Sequence, residues 1–191
     1  MKRLLIALAI VCLASTSFAQ VDPDPDGVGM YFDLDGMVYC NTFTGGPASV
    51  YLLLTNQSVD TGVGGFEAHV DYTVPAGNFE QGWTLPPSAI NVSTAPDFVV
   101  GFGVALPHSN AIVLATYGVL VFGVECMTFN VRASDSGNLL YADGVDPGLL
   151  IPMQVSSNGS PYGAGLNCAD CLEVVLDSDQ QTWGQMKSLY R

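Results

Sequence analysis

Positive charge is what this chain has least of. Five Lys and Arg stand against 18 Asp and Glu, for a formal charge of −13. A field of that sign repels nucleic acid and anionic membrane surfaces, so no nucleic-acid partner is expected. Histidine is scarcer still, with only His69 and His108. A zinc site needs more ligands than these and a lone Cys168-Ala-Asp-Cys171 pair supply. No G-x-S-x-G elbow occurs, so a Ser-His-Asp site has no marked nucleophile. Glu67 and Glu80 are carboxylates of the type paired in glycoside hydrolysis, but nothing singles them out in so acidic a chain. No enzymatic activity is expected. Long apolar runs are also missing after the first residues. Ala111–Phe122 is apolar but short, interrupted by Gly118 and rich in β-branched residues, so it reads as buried strand rather than a transmembrane anchor.

The chain opens with a different composition. Lys2 and Arg3 form a basic start, Leu4–Leu13 an apolar run, and Ser17-Phe18-Ala19 a small-x-small cleavage site. Residues 1–19 therefore read as a secretory signal peptide, with Gln20 as the new N-terminus. Val11 precedes Cys12 where a lipoprotein signal would need a small residue, so release rather than lipid anchoring is expected, to the extracellular space or periplasm. Cys12 leaves with the leader, and Cys40, Cys126, Cys168 and Cys171 remain. An even count in an exported chain predicts structural disulfides, and four cysteines leave three pairings open.

Residues 20–27 read as an acidic arm, and residues 28–176 repeat one grammar. Gly64–Pro75 states it most clearly: Phe66, Ala68, Val70 and Tyr72 alternate with Glu67, His69 and Asp71. A period of two marks a strand with one buried and one wet face. Further strands are predicted over Val28–Leu34, Ala48–Thr55, Ala89–Ser93, Phe98–Leu106, Ala111–Tyr117, Val119–Val131, Leu149–Val155 and Cys171–Leu176. Pro152 marks its strand as an edge. Residues 75–87 and 135–148 read as loops. The predicted fold is all-β: an antiparallel β-sandwich of immunoglobulin-like, cohesin-like or jelly-roll type.

Residues 177–191 depart from this pattern. Asp177–Gln181 is a polar linker, and Thr182-Trp183-Gly184-Gln185 fits a helix capping box. Trp183, Met186, Leu189 and Tyr190 then fall on one helical face, with Lys187 and Arg191 near the end. So short a helix needs something to dock on. These four side chains are the expected partner contacts.

Two other features point to ligands. Asp22-Pro23-Asp24-Pro25-Asp26-Gly27 has the spacing of a calcium loop, with Asp33 at its twelfth position. The expectation is that the chain carries no cofactor, with Ca²⁺ at Asp22, Asp24, Asp26 and Asp33 as the alternative. Trp83, Tyr141 and Tyr162 stand in segments read as loops and are the candidate sugar-stacking platform.

Gly65-Phe66-Glu67-Ala68-His69-Val70-Asp71-Tyr72, followed by Pro75, resembles a strand of cohesin-type and related carbohydrate-binding sandwich modules. The layout as a whole, from DGVGMYFD to TWGQMKSLYR, resembles exported bacterial proteins with no activity to carry over. The resemblance implies a sandwich that binds protein or a cell-surface glycan. The expected function is a secreted, non-enzymatic binding or structural module with the tail as contact element. The alternative is a carbohydrate-binding module that uses loop aromatics.

Overall fold

The computed structural model describes residues 24–156 and 163–168. The leader, Asp22, Tyr162, the strand expected at Cys171–Leu176 and the tail with Trp183, Met186, Leu189 and Tyr190 lie outside the described residues. Those described form two sheets, with no helix among them. The first sheet holds β1 (Gly27–Tyr31), β3 (Gly46–Thr55), β5 (Phe79–Thr84), β8 (Ala111–Val121) and β12 (Gln154–Val155), in the order β12-β1-β3-β8-β5. The second holds β2 (Cys40–Asn41), β4 (Val63–Thr73), β6 (Ala89–Asn91), β7 (Asp97–Leu106), β9 (Met127–Arg132), β10 (Leu140–Asp143), β11 (Leu150–Pro152) and β13 (Ala164–Leu166). Pairing is antiparallel except at two short contacts, β1 with β12 and β2 with β13. The chain is an all-β sandwich.

β4 is the strand the second sheet is built on. One edge pairs with β7, and the other pairs first with β10 and then with β9. β9 and β10 run in the same direction along that edge, so they amount to one strand interrupted by residues 133–139. The alternation expected of β4 holds. Phe66, Ala68 and Val70 are buried in the core, with Tyr72 packed against it. Burying side chains of this size contributes roughly 1.5–3 kcal/mol for each large apolar residue. Gly64 and Gly65 let the neighbours close in. A Cβ at Gly64 would sit 2.6 Å from the Asp143 carbonyl oxygen, and one at Gly65 2.5 Å from that of Val100. The facing strand β7 is irregular here, since Gly65 pairs with Gly101 but Val63 pairs with Leu106.

Several boundaries differ from the sequence reading. β8 runs unbroken through Gly118 to Val121, and β9 starts only at Met127. Residues 75–87 contain β5, an edge strand whose residues Phe79, Glu80 and Gln81 face solvent and show no alternation. Residues 135–148 contain β10, with Tyr141 and Asp143 turned inward. The run Leu149–Val155 is two strands, because at Pro152 and Met153 the chain leaves the edge of one sheet for the edge of the other. Pro152 does lie on an edge strand, as a residue without an N–H requires.

A chain of rings fills the space between the sheets. Trp83 of β5 packs on Phe98 of β7 and on Tyr117 of β8, both at 5.1 Å between centroids. Tyr72 lies 5.0 Å from Tyr117, and Phe66 lies 5.8 Å from Phe98. Cys126 and Cys168 are joined by a disulfide, and Cys40 is also disulfide-bonded. Cys168 is therefore not paired within its own CxxC.

Candidate functional site

The outward stripe of β4 is the most polar part of the second sheet, and its groups are engaged with one another. His69 Nδ1 lies 3.2 Å from Asp97 Oδ1, and its Nε2 lies 3.3 Å from Asp71 Oδ1. Asp97 also accepts from Ser93 Oγ at 2.6 Å and from the Asp135 amide at 2.8 Å. Burial works against its charge, but the bonds from Ser93, the Asp135 amide and His69 outweigh it. The Asp97 carboxyl is held below the ordinary aspartate range. Arg132 donates to Asp71 at 2.9 Å and to Asp135 at 3.2 Å. Glu67 accepts from Ser136 at 2.6 Å and from Asn138 at 3.0 Å. The stripe thus clamps residues 133–139, where β9 breaks from β10, onto β4 and β7. His69 is not the solvent-facing group its alternation predicts, because Asp97 and the 133–139 segment cover it.

His69, Asp97 and Asp135 also place one ligand atom each close enough together to hold a metal ion. Their existing partners already account for that proximity, and the Arg132 guanidinium occupies the same side of Asp135.

The calcium-loop residues take separate tasks. Asp26 stands at φ 55° and turns inward, accepting from Tyr141 Oη at 2.7 Å and from the Ser58 amide at 2.8 Å. Asp33 caps its own turn, accepting from the Met37 and Val38 amides at 3.0 Å. Among the described residues, Asp24, Asp26 and Asp33 are not found in a group whose ligand atoms converge.

The candidate aromatics are displaced in the same way. Tyr141 is fully buried in β10, with its hydroxyl given to Asp26. Burial, then the bond to Asp26, pushes the phenol above its ordinary range. Trp83 lies in the ring chain of the core, its indole N–H enclosed and without an acceptor. Tyr141 has no exposed face on which a sugar ring can stack, whereas Trp83 is only partly buried. Glu67 and Glu80 are not brought together either. Glu80 lies on the other sheet and accepts from Tyr117 Oη at 2.6 Å and, across the interface between the sheets, from Tyr72 Oη at 3.2 Å.

A different site lies where β5 ends. Its pairing with β8 runs from Phe79↔Leu120 to Thr84↔Thr116 and stops, while β8 continues back to Ala111. Leu85-Pro86-Pro87 ends β5, since Pro offers no N–H to a ladder and holds its predecessor away from it. Among the described residues, no strand pairs with Ala111–Ala115 on that side. A groove of about 410 Å³ lies there. Leu85, Pro86, Leu106, Pro107, Ile112 and Val113 line it. His108 stands at its rim, where Nδ1 lies 3.1 Å from Gln57 Oε1 and 3.0 Å from the Val59 carbonyl oxygen. Gln57 in turn donates to the Gly62 carbonyl at 2.8 Å. Gly62, at φ 82°, lies so close to the Leu106 carbonyl that a Cβ would collide with it. The sequence gives no motif for this groove. Its one signal is the Leu-Pro-Pro stop placed opposite an apolar run that is longer than its neighbour.

No family model matches the chain, and comparison with curated proteins finds no match. Among solved structures, the crystal structure of the CaDoc0917–CaCohA2 complex is similar in fold, with a TM-score of 0.45 and 16% identity over 74% of this chain and 96% of that one.

Proposed function

We propose that this chain is an exported, non-enzymatic binding module that takes an extended apolar segment of a partner protein along the open edge of β8. The observation that carries this reading is the mismatch between β5 and β8. It leaves the main-chain groups of Ala111–Ala115 beside a groove with apolar walls. An incoming strand placed in line with β5 would continue the ladder. Main-chain hydrogen bonds would supply affinity, and alternate side chains would enter the groove and supply selectivity. Export is supported by the leader composition and by the disulfide. The acidic composition favours a protein partner over nucleic acid. The glycan alternative loses Tyr141, which is buried in the core, and keeps Tyr162 and the partly buried Trp83.

Selection from a displayed library of random peptides tests this reading, with Val113→Arg, which fills the groove, as counter-selection. The expected result is enrichment of extended, β-branched or aromatic peptides whose affinity falls at least tenfold on Val113→Arg. Peptides that bind both forms equally would sink the groove as the site. Retention on polysaccharide without peptide binding would favour the glycan reading.

A further inference from the structure

We propose that the C-terminal tail, residues 177–191, docks on an apolar patch of its own domain at the Phe122 end of the sandwich. The patch lies at the far end of β8 from the groove and is independent of the reading given to the groove. Phe79, Phe122 and Val124 are 62%, 69% and 75% exposed. Phe79 stands opposite Leu120 in register, so these side chains gather at one corner. A cleft of about 310 Å³ opens there between residues 76–78 and residues 122–125. Its walls are tied together, because Asn78 Oδ1 accepts from the Phe122 amide at 2.9 Å and Asn78 Nδ2 donates to the Pro75 carbonyl at 3.1 Å. The cleft is therefore formed before anything enters it.

The chain passes beside this cleft just before the tail. Cys168 is bonded to Cys126, the residue after the cleft wall, and Asn167 donates to the Gly123 carbonyl at 3.4 Å. Residues 169–182 then separate this anchor from Trp183. Because the anchor already lies beside the cleft wall, a connection of that length has ample contour to return to the corner. Tethering of this kind gives an effective concentration on the order of millimolar, so even a weak apolar contact is populated. The chemistry is matched on both sides. Trp183, Met186, Leu189 and Tyr190 present an apolar face that needs covering, and the patch presents one of the same kind. Lys187 and Arg191 bring positive charge toward a cleft lined by Glu125.

The two tryptophans make the test direct. The purified chain, labelled with 5-fluorotryptophan, gives two fluorine resonances, and the one lost in Trp183→Phe is the tail's. The Trp83 resonance reports on the core and serves as the fold control. The expected result is a Trp183 signal shielded from solvent, with a small shift between H₂O and D₂O. That shift should at least double on Phe122→Glu while Trp83 stays in place. Val124→Glu, on the same cleft wall, should act in the same direction. A Trp183 signal already open to solvent in the parent chain overturns the proposal. So does a shielded one that ignores both substitutions. Shielding that fades on dilution through the micromolar range also overturns it, since that outcome assigns the tail to a second copy.

Discussion

The outward stripe of β4 and the open edge of β8 are built on opposite principles. The stripe is rich in groups that draw the eye as chemistry: a histidine, several carboxylates, an arginine and a row of hydroxyls. Each of those groups already has a partner, and together they hold residues 133–139 in place. The edge of β8 has almost no polar side chains, yet its ladder is unfinished and its groove is empty of any neighbouring strand among the described residues. In this molecule, polar clustering marks a joint and apolar incompleteness marks a surface for something else. Substitutions in the first region should therefore cost stability, and those in the second should cost binding.

The largest effect is expected next to the groove but inside the core. Trp83→Ala should lose about 3–5 kcal/mol of unfolding free energy in urea, as large-to-small core changes do. A loss below that of a surface substitution would mark Trp83 as a ligand contact rather than a packing residue. Next comes the joint. Asp97→Ala removes the acceptor of Ser93, of the Asp135 amide and of His69, and should cost about 2–3 kcal/mol. Asp71→Ala, at the exposed rim of the same cluster, should barely move the midpoint. If the two variants unfold alike, the stripe is decoration rather than a clamp.

Tyr141→Phe leaves the buried Asp26 carboxylate short of one donor and should cost about 1–2 kcal/mol. The phenols also set a pH limit. Tyr72, Tyr117 and Tyr141 are pushed above their ordinary range, first by burial, then by Glu80 for the first two and Asp26 for the third. The unfolded chain ionises these groups near pH 10 while the folded one does not, so stability is full below about pH 10 and falls as pH rises beyond it. At the acid end the sign reverses. Asp97 and Asp143 are held below the ordinary aspartate value; amides of Asp146 and Val145 and the Thr61 hydroxyl do this for Asp143. Their contribution is present above about pH 4 and is lost as pH falls through the depressed values. Thermal midpoints measured across pH should show a plateau with both shoulders, and Tyr141→Phe should soften the alkaline one. The smallest change in stability is expected at the groove itself. Val113→Arg should shift unfolding by less than about 0.5 kcal/mol, the range of surface substitutions, while peptide binding is lost. A collapse of stability there would mean that Val113 is core, and the contrast between the two regions would fail.

The strands that fill both sides of their pattern were legible from sequence. Phe66, Ala68 and Val70 announce β4 by alternation, and the Val-Tyr-Leu run announces β3. β5 was not legible, because this edge strand turns only Trp83 toward the ring cluster, and that only partly buried, while Phe79-Glu80-Gln81-Gly82 reads as loop. β10 hid for a related reason, being short and set among turn residues, so Tyr141 looked like a loop aromatic. The candidate sites depended on contacts across long sequence separations. His69 meets Asp97 and Asp135 only because β7 and the 133–139 segment flank β4, and Asp26 meets Tyr141 only across the sandwich. Within the calcium-like spacing, Asp26 gives its carboxylate to Tyr141 and the Ser58 amide, partners that no spacing predicts. Spacing alone left three cysteine pairings open, and the fold selects Cys126 with Cys168.

That disulfide has a mechanical side. β13 is three residues long and pairs with β9 and β2, so on its own it would peel away under a modest pull on the chain beyond it. The bond from Cys168 to Cys126 lies outside β13 and reaches the start of β9, which is laddered to β4 from His69 to Thr73. A load arriving from the C-terminal side therefore bypasses the weak strand and is carried as shear by the longest-supported strand of the sheet. Pulled from its C-terminal side, the domain would keep its fold under tension for as long as that bond stays oxidised.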